Sequence, residues 1–214
     1  NDGDLDIISS AIGDDKIVWY ENTATFSFDP TWTASDIATS ANAASGVFAA
    51  DMDNDGDIDI LSASFADDTV AWYENNNGDG SSWTASDITT SADGAYSVFA
   101  ADIDGDGDMD ILSASANDDT IAWYENLGDT DDDGILDWTA ADIATSADGA
   151  RSVFAADIDN DGYMDVISAS YVDDAIAWYE TAAIPEFSNI MMPIASVLAI
   201  VGFNYRKRKI NPDE

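Results

Sequence analysis

Four tryptophans, Trp19, Trp72, Trp123 and Trp178, stand 53, 51 and 55 residues apart, each inside a W-Y-E run. The stretches that lead into them are near copies. Residues 97–126 read SVFAADIDGDGDMDILSASANDDTIAWYEN, residues 46–75 read GVFAADMDNDGDIDILSASFADDTVAWYEN, and residues 152–180 read SVFAADIDNDGYMDVISASYVDDAIAWYE. Residues 1–22, NDGDLDIISSAIGDDKIVWYEN, carry the second half of the same unit. Another shared segment, W-T-A-[SA]-D-I-[AT]-T-S, starts at Trp32, Trp83 and Trp138. A chain that repeats at this period folds as an array of like units, each one supersecondary structure.

Each unit holds four runs with strand character, in the second full unit near 84–90, 96–101, 109–115 and 120–125. The run I-A-W-Y-E is β-branched and aromatic, and MDILSAS alternates apolar with small or polar residues, as half-buried strands do. The turn signals A-D-G, D-G-D-G-D and N-D-D separate them. The expected fold class is all-β: a partial β-propeller of four-stranded blades. It comprises a half blade (1–26), three full blades (27–76, 77–128 and 129–181) and a C-terminal segment (182–214). An immunoglobulin-like sandwich would not repeat at this period. Closed propellers take about 4–8 blades, so upstream sequence is expected to supply the rest.

The turn between the second and third runs carries the chemistry. In D-M-D-N-D-G-D-I-D, Asp51, Asp53, Asp55, Asp57 and Asp59 alternate; Asp102, Asp104, Asp106, Asp108 and Asp110 repeat the pattern. Asp157, Asp159, Asp161 and Asp165 repeat it again, with Tyr163 at the seventh position. Calcium takes six to eight hard oxygen ligands in flexible geometry. Positions 1, 3, 5 and 9 offer carboxylates and position 7 a backbone carbonyl, so Tyr163 fits there. Glycine at position 6 (Gly56, Gly107, Gly162) permits the sharp turn. With no helices flanking it and no glutamate at position 12, the loop is not an EF-hand. Residues 129–137 match as well: Asp129, Asp131, Asp133 and Asp137 fall at positions 1, 3, 5 and 9, Ile135 at 7 and Gly134 at 6. The first unit keeps only the loop's end, with Asp2 and Asp6 as candidate ligands and a weak or empty site expected. The acidic pairs Asp14–Asp15, Asp67–Asp68, Asp118–Asp119 and Asp173–Asp174 read as hairpin turns. The W-Y-E aromatics read as core or inter-blade packing rather than as sugar-stacking surfaces; Trp32, Trp83 and Trp138 are left open.

The charge balance sets the partners. The chain carries 44 acids against 6 bases, and its first 185 residues hold only Lys16 and Arg151 as bases. Such a surface repels itself and excludes nucleic acid as a partner. Either bound cations neutralise it or the protein lives in high salt. Acids confined to one phase of a repeat favour bound cations. With no cysteine and no histidine, disulfides, thiol nucleophiles, histidine acid–base catalysis and most zinc sites are excluded.

After Thr181 the composition changes. Residues 187–205, FSNIMMPIASVLAIVGFNY, hold no charge over 19 positions, near the ~20 a membrane-spanning helix needs. The basic end 206–209, RKRK, follows at once. The positive-inside rule places that end in the cytoplasm and the acidic repeats outside. A buried terminal helix is the alternative.

Residues 1–180 resemble FG-GAP/VCBS-type repeats, the β-propeller blades also seen in integrin α subunits, through the loops at Asp51–Asp59, Asp102–Asp110 and Asp157–Asp165. Val98 to Ala101 stand where that family has its phenylalanine-glycine signature. The resemblance implies calcium binding by those loop aspartates. The tail resembles a PEF-CTERM sorting signal, with Pro185, Glu186 and Phe187 before the apolar span and the basic end. That implies an archaeal surface protein processed by an archaeosortase-like membrane enzyme. The expected function is calcium-stabilised binding or adhesion at the cell surface, with an extracellular glycan or protein as ligand and no catalytic constellation. The alternatives are the non-catalytic propeller part of a polysaccharide-active enzyme and a structural surface-layer component.

Overall fold

The computed structural model describes residues 4–24, 30–132 and 134–181, together with the backbone of 204–207. These residues form fifteen strands in four antiparallel sheets. The first sheet contains β1 (Ile7–Ala11), β2 (Lys16–Asn22) and β3 (Trp32–Ala38). The second runs β4 (Ala44–Ala50), β5 (Asp59–Ser64), β6 (Thr69–Asn75), β7 (Trp83–Thr89). The third runs β8 (Ala95–Ala101), β9 (Asp110–Ser115), β10 (Thr120–Asn126), β11 (Trp138–Ala144). The fourth runs β12 (Ala150–Ala156), β13 (Asp165–Ser170), β14 (Ala175–Glu180), β15 (Asn204–Lys207).

The all-β expectation and the four strands per repeat agree with this architecture. The sheets are offset by one strand from the sequence units 27–76, 77–128 and 129–181. The W-T-A-x-D-I strand that opens a unit pairs with the W-Y-E strand before it: β7 lies on β6 and β11 on β10. A hairpin through 76–82 returns the chain beside β6, whereas 90–94 carries it across to the next sheet.

The core lies between successive sheets. Each sheet turns one set of alternating residues toward the sheet before it and the other set toward the sheet after it. Between the second and third sheets, Met52, Leu61, Val70 and Trp72 share a cluster with Ala95, Val98, Ile111 and Tyr124. Ile103, Leu112, Ile121 and Trp123 repeat the arrangement against Ala150, Val153, Val166 and Tyr179. Alanines such as Ala95 and Ala150 fill the space between these larger side chains, as close packing requires. Inside the sheets the small serines of the S-A-S run leave room for buried tyrosine hydroxyls, as in Ser113 with Tyr124 at 3.3 Å and Ser168 with Tyr179 at 3.2 Å. The W-Y-E aromatics of the second and third sheets and Tyr179 are thus core residues, Trp19, Tyr20 and Trp178 are half-buried, and Trp83 and Trp138 also pack against the clusters.

The outermost sheets break this pattern. Met52 is fully buried and Ile103 is 4% exposed, but their counterpart Ile158 is 46% exposed. Val70 and Ile121 are buried, whereas Ile176 is exposed. On the first sheet Ile7 is exposed, where its counterparts Ile60 and Ile111 are buried.

The tripeptide 185–187 and most of the expected span 187–205 lie outside the described residues. The last two residues of that span, Asn204 and Tyr205, do not continue a helix. They open β15, which occupies the edge of β14 that W-T-A strands take in the other sheets. Among the described residues no helix is long and apolar enough to cross a membrane.

Candidate metal centre

Each Asp-rich loop joins the first two strands of its sheet: 51–58 between β4 and β5, 102–109 between β8 and β9, and 157–164 between β12 and β13. The turn is built by backbone conformation. Position 6 is left-handed in all three, with φ of 93° at Gly56, 101° at Gly107 and 95° at Gly162. Position 4 is left-handed too, at Asn54 (61°), Gly105 (81°) and Asn160 (63°), residue types that tolerate this region best. The side chains then fold inward. The position-6 amide donates to the first aspartate: Gly56 to Asp51 at 3.0 Å, Gly107 to Asp102 at 3.1 Å and Gly162 to Asp157 at 3.1 Å. The position-7 amide donates to the fifth-position carboxylate, at 2.8 Å for Asp57 to Asp55 and 2.9 Å for Tyr163 to Asp161.

This geometry gathers positions 1, 3 and 5. Carboxylate oxygens of Asp51, Asp53 and Asp55 lie within 4.8 Å of one another, as do those of Asp102, Asp104 and Asp106 and those of Asp157, Asp159 and Asp161. Each such pair repels by roughly 1 kcal/mol in water and about 4 kcal/mol at the effective dielectric near a protein surface. Burial lifts Asp53 and Asp104 above the usual carboxylate range, against the backbone N–H groups of Asp55 and Asp106 and with the charges of their loop neighbours adding to the rise. Desolvation and the charge of Asp161 raise Asp159. One oxygen is left over: Asp51 Oδ1 is buried and has no hydrogen-bond partner. An all-oxygen set with an unsatisfied buried carboxylate oxygen fits a hard divalent cation, and its flexible loop fits calcium better than rigidly octahedral magnesium.

Positions 7 and 9 are placed differently. The Asp57 carboxylate lies against Gly78, where an added Cβ would meet it at 2.2 Å, and Asp108 accepts the amide of Asn54 from the preceding loop at 2.9 Å. Asp59, Asp110 and Asp165 are buried at the start of the next strand, with both oxygens engaged by backbone amides. Asp110 accepts Ile103 N at 3.0 Å and Asn126 N at 2.9 Å. Asp59 accepts Met52 N at 3.2 Å and Asn75 N at 2.8 Å. Asp165 accepts Ile158 N at 3.1 Å and Thr181 N at 3.0 Å. The ninth aspartate therefore clamps the loop to the far end of the W-Y-E strand. Burial pushes Asp59 up to about 6 and Asp110 up to about 7, against those two amide donors. Smaller contributions from the charges of Asp53 and Asp104 show position 9 within electrostatic reach of position 3. The Trp72 indole favours the charged form of Asp59 but falls short of hydrogen-bond geometry. In the first sheet Trp19 Nε1 does donate to Asp6, at 3.0 Å, and Asn22 N donates to the same carboxylate at 2.8 Å. Asp6 is thus a clamp in a loop whose candidate partner Asp2 lies outside the described residues.

The 129–137 segment has the same internal wiring. Gly134 (φ 85°) donates to Asp129 at 2.8 Å, Asp132 is left-handed at position 4 (φ 63°), and Thr130 N donates to Asp137 at 3.1 Å. The Thr130 hydroxyl also bonds Asp137. Asp131 and Ile135 belong to this turn; Asp133 lies outside the described residues. This loop sits on the β10–β11 hairpin, at the same end of the third sheet as the 102–109 loop.

Two sets of acids carry more than the sequence reading assigned. Glu74 and Glu125, in the W-Y-E runs, are raised by burial and by the charges of Asp53 and Asp55, and of Asp104 and Asp106, so they extend the acidic field of the loops. Their recurrence in every unit was the available signal. The second member of each hairpin acid pair is left-handed, and in the first three pairs it ties its turn to the crossover into the next sheet. Asp15 accepts Ala43 N at 2.8 Å, Asp68 accepts Gly94 N at 2.9 Å and Asp119 accepts Gly149 N at 2.8 Å.

No curated protein matches the chain. The profile of the FG-GAP-like repeat matches residues 1–62, 51–113 and 105–168, the second and third windows each beginning within an Asp-rich loop. These matches span more than half of the sequence, and with four sheets of one repeating design they show that the chain belongs to the FG-GAP-like repeat family.

Proposed function

We propose that the chain is a calcium-stabilised, ligand-binding or adhesive module displayed outside the cell. The observation that carries this reading is the gathering of three carboxylates, three times over, in loops that leave Asp51 Oδ1 buried and unpartnered. Asp51, Asp53 and Asp55, with their counterparts in the other loops, would hold the ion. The ninth aspartates hold the loop in shape and keep lone pairs free for a second role as ligands. Asp129, Asp131, Asp133 and Asp137, with the Ile135 carbonyl, form a further calcium site. Calcium here neutralises charge and fastens two strands; it supplies no reaction. Repeats of this family are generally non-catalytic and typically occur in extracellular or surface proteins.

The sheets are read as blades of a β-propeller. The exposure of Ile158, Ile176 and Ile7, at positions that interior sheets bury, supports stacking of the outer sheets against further ones. The apolar stretch 187–205 and the basic end support a sorting signal of the PEF-CTERM type, processed by an archaeosortase-like enzyme at the membrane.

Calorimetric melting of the full chain in calcium and in excess EDTA tests the central part. A site filled at about 100 times its dissociation constant adds roughly 2.7 kcal/mol. Three such sites correspond to a fall in Tm of about 10 °C or more on chelation. Identical melting curves would sink the reading.

A further inference from the structure

The end of the sheets away from the Asp-rich loops carries side chains that differ from repeat to repeat. Ser45, Tyr96 and Arg151 occupy one position in β4, β8 and β12, and each falls at a register shift, between Ala44 and Gly46, Ala95 and Ser97, and Ala150 and Ser152. Such a bulge re-aims the extra side chain out of the ladder. Ser45 turns back to donate to the carbonyl of Ala95 at 2.8 Å. The other two reach outward. The Arg151 guanidinium stands 4.6 Å from the centre of the Tyr96 ring and 5.1 Å from that of Tyr171. Phe65 meets Tyr96 edge to face at 6.2 Å. Tyr171 is 70% exposed, and Val172 beside it is exposed as well.

Arg151 forms no ion pair or hydrogen bond through its guanidinium among the described residues, in a chain of 44 acids whose Lys16 does pair, with Asp36. Both tyrosine rings lie against the Arg151 guanidinium, so its charge is held by aromatic faces rather than by an acid. Its N–H edge remains, a rigid fork matched to a carboxylate. The rings hold that fork in place before any ligand arrives.

We propose that Arg151, Tyr96 and Tyr171 form a binding site for a carboxylated sugar, a hexuronate residue within a glycan. This deepens the reading of the chain as a ligand-binding surface module and rests on it. The carboxylate takes the free edge of Arg151, and a sugar ring lies against the open face of Tyr171, an apolar body with a polar tip. The patch is a handful of side chains wide, the footprint of one or two sugar rings; a protein partner needs about 800 Å² on each side. The net charge of −38 selects against densely charged polyuronates and favours isolated carboxylates in an otherwise neutral glycan.

The test is calorimetric titration of the full chain in saturating calcium. The probes are a short neutral oligosaccharide bearing one hexuronate and the same oligosaccharide with that carboxylate methyl-esterified. The acid should bind about tenfold tighter than the ester, the advantage of a charge-assisted bidentate contact. Arg151→Gln should bring the acid down to the level of the ester, Arg151→Lys should recover only part of the difference, and Tyr171→Ala should weaken both probes. Equal binding of acid and ester, or binding of neither, overturns the proposal. So does an acid preference that survives Arg151→Gln but disappears in EDTA, which would put the carboxylate on a loop metal. Calcium-dependent melting of the same samples separates this failure from failure of the parent reading, since Arg151→Gln leaves the loops untouched.

Discussion

The two ends of each sheet obey different rules. At the loop end the repeats agree in residue and in geometry: the amide of position 6 reaches the first aspartate at 3.0, 3.1 and 3.1 Å in the three loops. At the other end the backbone is held as uniformly, by Asp15, Asp68 and Asp119, yet neighbouring side chains vary from Ser45 to Tyr96 to Arg151 and from Phe65 to Ala116 to Tyr171. Repetition persists where a side chain holds backbone or gathers charge. It lapses at these positions, where Ser45 alone bonds backbone and the larger side chains of Tyr96, Arg151 and Tyr171 are free to meet a ligand.

Substitutions can break this contrast or sharpen it. Asp110→Ala should have the largest effect, about 3 kcal/mol by urea unfolding, because it strands the buried amides of Ile103 and Asn126 together. A loss below about 1 kcal/mol would mean that the ninth aspartate is no clamp. At the opposite end, Asp119→Ala should cost about 1 kcal/mol through one lost acceptor for Gly149 N, and Asp119→Asn, which keeps that oxygen, much less. Equal losses for the two would assign the effect to charge rather than to the bond. Phe65→Ala, at a varied and half-buried position, should move stability least, by about 0.5 kcal/mol. A loss as large as that of Asp110→Ala would erase the distinction between the ends.

Much of this was legible in the sequence because a repeat states its own period. The strand runs near 96–101 and 109–115 match β8 and β9, and the alternating aspartates around Gly56, Gly107 and Gly162 marked loops that do gather three carboxylates. Sheet membership was not legible. The connections 76–82 and 90–94 are both short and polar, and nothing in their composition says that one folds back as a hairpin while the other crosses to the next sheet. The double demand on Asp59, Asp110 and Asp165 was hidden for another reason. A carboxylate that accepts amides from residues 7 and 16 positions away looks, in sequence, like one more metal ligand. Asp119 read as a turn residue for the same reason, its partner Gly149 lying 30 positions on.

The central claim is that the Asp-rich loops are calcium sites. Calorimetric titration of calcium into the metal-free full chain reads it directly. Saturable binding to the three gathered loops, with one further site for 129–137, is the predicted result, and Asp104→Ala should remove one equivalent. Heat that never saturates, or a stoichiometry unchanged by Asp104→Ala, would contradict it.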